Sequence, residues 1–185
     1  NESMSILSIT GRNSNIWISS LQGIFHTTTN TSRAFQNLTE LSGIGINYIY
    51  HIYEDSKGRV WFATDGKGLT MMQNNRFTHF SEKEGLTGKV IYSVAEDKKG
   101  VIWCAALQKG LFQYNGKTFA NFGTDKGIPD LDISSLDTDN KGNLFCISRS
   151  GYFLIDAETQ SVIIPGNEKQ LGIFNTDLNS TDHTK

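Results

Sequence analysis

Three aspartates, Asp55, Asp97 and Asp139, recur at intervals of 42 residues, and each is followed three positions on by a glycine. Repeated carboxylates raise calcium, which takes six or more converging oxygens. Asp–x–x–Gly is also a hairpin turn, in which the aspartate caps its own backbone and glycine supplies the positive φ. The acids fall in separate hairpins, so the spacing reads as structural. Trp17, Trp61 and Trp103 offer rings that sugars stack on. Each stands mid-strand beside an apolar neighbour (Ile16, Val60, Ile102), as a packing residue does. Cys104 and Cys146 take positions held in other copies by Phe62 and Ile18. These are read as buried packing sites and free thiols, because a disulfide needs Cα atoms within about 7 Å. His26, His51, His79 and His183 show no metal-ligand spacing. No nucleophile elbow, phosphate loop or carboxylate pair appears. No catalytic residue, metal or cofactor is assigned. Three glycosylation sequons, at Asn30, Asn37 and Asn179, are read as inert.

The elements that carry these residues follow from composition and repetition. The chain has 185 residues, a formal charge of −2 and a pI near 6.1, with no basic footprint for nucleic acid. No apolar run approaches the roughly 20 residues of a membrane helix. Two cysteines exclude a disulfide scaffold, and 18 glycines against 2 prolines suit a mostly β protein. A start at Asn1 without Met reads as an excised segment.

The tryptophans are spaced by 44 and 42 residues, and Phe145 continues the series 42 further on. At an offset of 42, Ile49–Gly85 matches Ile91–Gly127 identically at fourteen positions. In the third copy, Val90–Glu96, Val101–Ala106, Leu111–Tyr114 and Thr118–Phe122 read as strands. They are separated by Asp97-Lys98-Lys99-Gly100, Leu107-Gln108-Lys109-Gly110 and Asn115-Gly116-Lys117. Apolar residues on both faces fit a small sheet held between two others. Four-stranded units of this period are β-propeller blades. The fold expected is all-β, with four blades at about 3–43, 44–87, 88–130 and 131–166, part of a larger propeller. The segment 167–185 is a tail or the start of a fifth blade, since Thr181-Asp182-His183-Thr184-Lys185 echoes Thr138-Asp139-Asn140-Lys141-Gly142. The rival expectation is a strand that closes the ring.

The run Ile91-Tyr92-Ser93-Val94-Ala95-Glu96-Asp97-Lys98-Lys99-Gly100-Val101-Ile102-Trp103, with Lys109-Gly110-Leu111-Phe112-Gln113-Tyr114 after it, resembles the two-component regulator propeller repeat. Glu54-Asp55-Ser56-Lys57-Gly58-Arg59-Val60-Trp61, followed by Gly68-Leu69, resembles it equally. Copies one and four depart from the pattern, the fourth by Phe145 and Gly151-Tyr152. The resemblance implies a periplasmic sensor of a hybrid two-component regulator, an inner-membrane protein whose histidine kinase and output domains are not in this sequence. It implies no enzyme activity and a ligand derived from an oligo- or polysaccharide. The alternatives are a propeller enzyme of the lyase type and a protein-binding scaffold.

Ligands are expected on the face that carries the second-to-third and fourth-to-first strand loops, which vary while the frame stays fixed. Gln22, Asp65, Lys67, Gln108, Lys109 and Arg149 come from the first set, and Asn47, Tyr48, Lys89 and Asp132 from the second. Amides, charges and a tyrosine suit a hydroxyl-rich ligand. An open arc of blades also exposes apolar end faces, so self-association as a dimer is expected. No nucleic acid and no membrane span are expected of this segment.

Overall fold

The computed structural model describes residues 5–30, 35–39, 43 and 48–165. The expectations for Asn47 and for the segment 167–185 lie outside the described residues. Four antiparallel sheets of four strands each follow one another along the chain. The first is β1 (Ile6–Arg12), β2 (Asn15–Ser20), β3 (Gly23–Thr28) and β4 (Gln36–Asn37). The second is β5 (Ile49–Glu54), β6 (Val60–Thr64), β7 (Leu69–Gln73) and β8 (Arg76–Phe80). The third is β9 (Ile91–Glu96), β10 (Ile102–Ala106), β11 (Gly110–Tyr114) and β12 (Phe119–Phe122). The fourth is β13 (Ile133–Thr138), β14 (Leu144–Ser148), β15 (Gly151–Ile155) and β16 (Val162–Ile163). Strand order is sequential in every sheet, as in a propeller blade. Helix among the described residues is confined to two three-residue 3-10 turns, Glu82–Glu84 and Thr124–Lys126.

The aspartate turns are built as the spacing predicts. Asp55 Oδ1 accepts the backbone N–H of Lys57 and Arg59, Asp97 Oδ1 that of Lys99 and Val101, and Asp139 Oδ1 that of Lys141 and Asn143. Gly58, Gly100 and Gly142 take φ of 72°, 76° and 75°, where an L side chain is strained.

Three apolar seams join the blades. Trp17 packs with Ile24, Ile49, Ile52 and Phe62, Trp61 with Phe80, Leu86 and Cys104, and Trp103 with Phe122, Ile133 and Phe153. All three tryptophans are buried, so they are packing residues and not exposed platforms. Cys104 and Cys146 are buried free thiols, and desolvation pushes both well above the ordinary thiol range.

The first strands of successive blades, β1, β5, β9 and β13, are neighbours. A polar side chain on each accepts a backbone N–H from the next. Ser8 Oγ takes Ile52 N–H at 3.2 Å, His51 Nδ1 takes Val94 N–H at 3.1 Å, and Ser93 Oγ takes Leu136 N–H at 3.1 Å. Ladder irregularities beside Ser8, His51 and Ser135 leave backbone groups that such side chains satisfy.

The arc is open. Ile52, Val94 and Leu136 are at most 5% exposed, whereas Ile9, which holds the same register position in the first blade, is 60% exposed. Ile147 is 43% exposed, although its counterparts Ala63 and Ala105 are fully buried. No sheet closes on itself, and the first- and fourth-blade faces have the composition of seams.

Candidate functional site

The loops that carry the expected site residues are bound together by backbone. In each of three blades the second-to-third loop opens with an N–H given to the strand entry of its own blade. Asp65 donates to Tyr48 O at 2.8 Å, Leu107 to Val90 O at 3.0 Å and Arg149 to Asp132 O at 3.0 Å. The same loops clasp the following blade: Gly66 and Gly68 N–H reach Lys89 O at 3.1 and 2.7 Å, and Gly110 N–H reaches Leu131 O at 3.1 Å. Gly68 takes φ of 71° to do so. Variable side chains thus sit on a loop frame that repeats blade by blade.

The structure therefore brings Tyr48, Asp65, Lys67 and Lys89 together around the second loop. Lys109 stands beside the entry of the fourth blade, and Asp132 is tied to Arg149. Tyr48, Lys67, Lys89, Gln108, Lys109 and Arg149 are exposed, and Asp65 and Asp132 are half-buried. Gln22 is exposed on the first blade, where its N–H bonds Ser20 Oγ, and it is not joined to the others. Cations and carboxylates alternate along this face, with no expanse of one sign.

Three further residues belong to this end of the molecule. The Asp130 carboxylate accepts the N–H of Asp132 and of Ser150, each at 2.8 Å. The Asp132 N–H first, then Ser150 and the Arg149 guanidinium, hold Asp130 below the usual carboxylate range. Tyr50 meets Tyr92 edge to face, with centroids 5.2 Å apart. Burial, with the Asp65 carboxylate beside it, raises the Tyr50 hydroxyl above its ordinary value. Tyr50 and Tyr92 line a groove of about 460 Å3 along the first strands, with Thr10, His51 and Ser134. The repetition at offset 42 had marked both tyrosines as frame. Asp130 carried a signal in Pro129-Asp130, a turn sequence just before a strand.

Chemically this is a recognition surface. Among the described residues no three His, Cys, Asp or Glu side chains gather as a metal site. No helix there is long and apolar enough to cross a membrane.

Residues 43–66 match the family model described as two component regulator propeller. The chain is similar to the extracellular domain of the hybrid two component system BT3049 from B. thetaiotaomicron, with 28% identity and a TM-score of 0.68. That likeness covers 83% of this chain and 22% of the other. The corresponding domain of BT4673 from the same organism is 19% identical with a TM-score of 0.67, over 86% of this chain and 24% of its own. The chain thus spans under a quarter of each of these domains. Virginiamycin B lyase from Staphylococcus aureus shares the fold at 13% identity and a TM-score of 0.68, covering 89% of this chain and 57% of its own. No curated protein sequence matches the chain. The repeats are those of the two-component regulator propeller, in all-β blades of the kind these extracellular domains contain.

Proposed function

We propose that this chain is a ligand-sensing segment of an extracytoplasmic propeller belonging to a hybrid two-component signalling protein. The observation that carries this reading is the likeness to the BT3049 extracellular domain over 83% of the chain. The clasped loop frame, which presents variable polar side chains on one face, supports it. The segment lies in the periplasm of an inner-membrane protein and passes its signal to a kinase elsewhere in that protein. Its ligand is a hydroxyl-rich glycan fragment bound by the loop face, and its role is non-catalytic. Amides, paired charges and Tyr48 supply donors, acceptors and an aromatic surface for such a molecule. Self-association through the open end faces is part of the same proposal. No side-chain constellation favours the lyase reading over this one.

A glycan array probed with the chain tests the reading. Binding of defined oligosaccharides, weakened by Asp65→Ala and by Lys109→Ala, is expected. Array silence together with capture of one specific protein would replace the sensor with a scaffold.

A further inference from the structure

The seam between the first and second blades diverges from the next one in a way that leaves space. In the second seam the Arg59 guanidinium lies 5.1 Å from the Trp61 ring centroid and 6.0 Å from that of Tyr114. Tyr114 in turn packs on Phe80 and Phe119. In the first seam Asn15 stands two residues before Trp17, as Arg59 does before Trp61, and Met72 stands 42 residues before Tyr114. Two long side chains are thus replaced by shorter or slimmer ones. A cavity of about 700 Å3 opens there, within the range of small-molecule sites.

Its polar wall is pre-organised. Glu54, 5% exposed, accepts Asn15 Nδ2 on both oxygens at 3.2 and 3.1 Å and Trp17 Nε1 at 3.1 Å. That fixes the Asn15 amide, whose Oδ1 faces His26 Nε2 at 3.1 Å. An amide oxygen only accepts, so Nε2 carries the proton and Nδ1 is left as an acceptor. The imidazole is stacked on Trp17, with centroids 4.1 Å apart and planes at 30°. Desolvation lowers its pKa against the opposing pull of Glu54, which favours the neutral ring. Gln36, Asn74 and Asn75 bring carboxamides to the lining, while Met72, Phe77 and Leu38 make it apolar on the other side.

We propose that this seam cavity is a second binding site, for an uncharged, hydroxyl-bearing ring ligand the size of one or two pyranose units. Carboxamides both donate to and accept from hydroxyls, and the apolar wall suits the C–H face of a sugar ring. The described lining residues include no lysine or arginine to hold an anion. The one carboxylate is occupied by N–H donors, so a cation gains little. The site is distinct from the loop face. Its walls come from the β5–β6 and β7–β8 turns, at Gly58 and at Asn74-Asn75, which lie at the opposite end of the strands from the β6–β7 loop.

The test is titration of the full chain with methyl pyranosides of glucose, galactose, mannose and xylose and their disaccharides, followed by saturation-transfer NMR. At least one is expected to bind. Met72→Tyr, which restores the second-seam residue, should fill the cavity and weaken that binding by about tenfold or more, or roughly 1.4 kcal/mol. Gln36→Ala, on an exposed side chain that threatens no packing, should weaken it by about threefold. Lys109→Ala and Arg149→Ala on the loop face should leave it unchanged. Thermal melts confirm that each variant is folded. No binding at about 10 mM of any probe would overturn the proposal. So would binding that Lys109→Ala removes while Gln36→Ala and Met72→Tyr preserve it, a result that upholds the loop-face reading alone.

Discussion

The indole Nε1 of Trp103 donates to Asp97 Oδ2 at 2.9 Å, across six residues of one hairpin. Asp97 Oδ1 meanwhile holds the turn. One carboxylate thus closes the hairpin and orients the ring that fills the seam. Trp61 and Asp55 repeat the arrangement at 2.8 Å. The two atypical blades solve the same problem differently. In the fourth, Phe145 has no N–H, and Asn143 Nδ2 takes the second oxygen of Asp139 at 2.9 Å. In the first, no aspartate precedes Trp17, and the indole reaches Glu54 of the next blade.

This pairing makes Trp103 a stability residue. Trp103→Ala should cost about 3–5 kcal/mol, as large-to-small core changes do. Trp103→Phe keeps most of the apolar contact but leaves Asp97 Oδ2 buried without its donor, so a cost of about 1–3 kcal/mol is expected. Lys109→Ala should stay within about 0.5 kcal/mol. Urea denaturation ranks the three, and equal stability of Trp103→Ala and Lys109→Ala would contradict the packing assignment.

Glu96 ties the third blade to the hairpin of the second. Its oxygens accept the Ser56 N–H at 2.7 Å and the Ser56 hydroxyl at 2.6 Å. Glu96→Ala removes both bonds from a buried position and should cost about 1–3 kcal/mol. Glu96→Gln keeps an acceptor and should cost less. A chemical-denaturation series in which Gln is no better than Ala would remove the hydrogen bonds from the explanation.

The histidine between the second and third blades sets a pH dependence. His51 Nδ1 accepts the Val94 N–H, so it must stay unprotonated, and burial lowers its pKa against the opposing pull of Asp137. A depressed folded pKa means that the contribution is complete above the ordinary value of 6.5 and is lost as pH falls from there through the folded pKa. The slope is at most about 1.4 kcal/mol per pH unit. His51→Ser, which copies the residue of the first and third blades, should flatten thermal stability between pH 6.5 and 5 relative to the parent. An unchanged slope would place the titrating group elsewhere.

Two glycines with the same φ should differ in consequence. Gly58 and Gly68 take φ of 72° and 71°, but a Cβ at Gly68 would stand 2.6 Å from the Phe80 carbonyl oxygen, whereas one at Gly58 meets nothing within 4 Å. Gly58→Ala should cost about 1–2 kcal/mol, the left-handed penalty alone. Gly68→Ala should cost about 3 kcal/mol or more. Equal melting temperatures would show that the loop gives way to the methyl group.

The frame was legible because it repeats. The Asp–x–x–Gly turns, the tryptophans and the buried Cys104 and Cys146 each rest on short-range pattern, which the chain writes three or four times. What was not legible is what one blade does to another. Nothing at position 51 announces that His51 accepts a backbone N–H 43 residues on. Nor does position 54 announce that Glu54 orients Asn15 and Trp17 of the blade before it. The seam cavity arises from Asn15 and Met72, unremarkable residues whose effect appears only when their counterparts Arg59 and Tyr114 are seen filling the next seam. On the loop face, the positions came from strand order, while the clasp that joins them came from the structure.

The central claim is that these blades form an open arc whose end faces are built as seams. Ile9 is 60% exposed where its counterparts are buried, and Ile147 is 43% exposed where the other blades bury alanine. Apolar faces of that kind associate, and twofold dimers are the commonest closed assembly. Sedimentation velocity of the full chain at micromolar concentration is the direct measurement. The account predicts species heavier than the 20.6 kDa monomer, reduced by Ile9→Lys or Ile147→Lys. A sharp, non-associating 20.6 kDa monomer would mean that the four blades complete their own packing, and would contradict it.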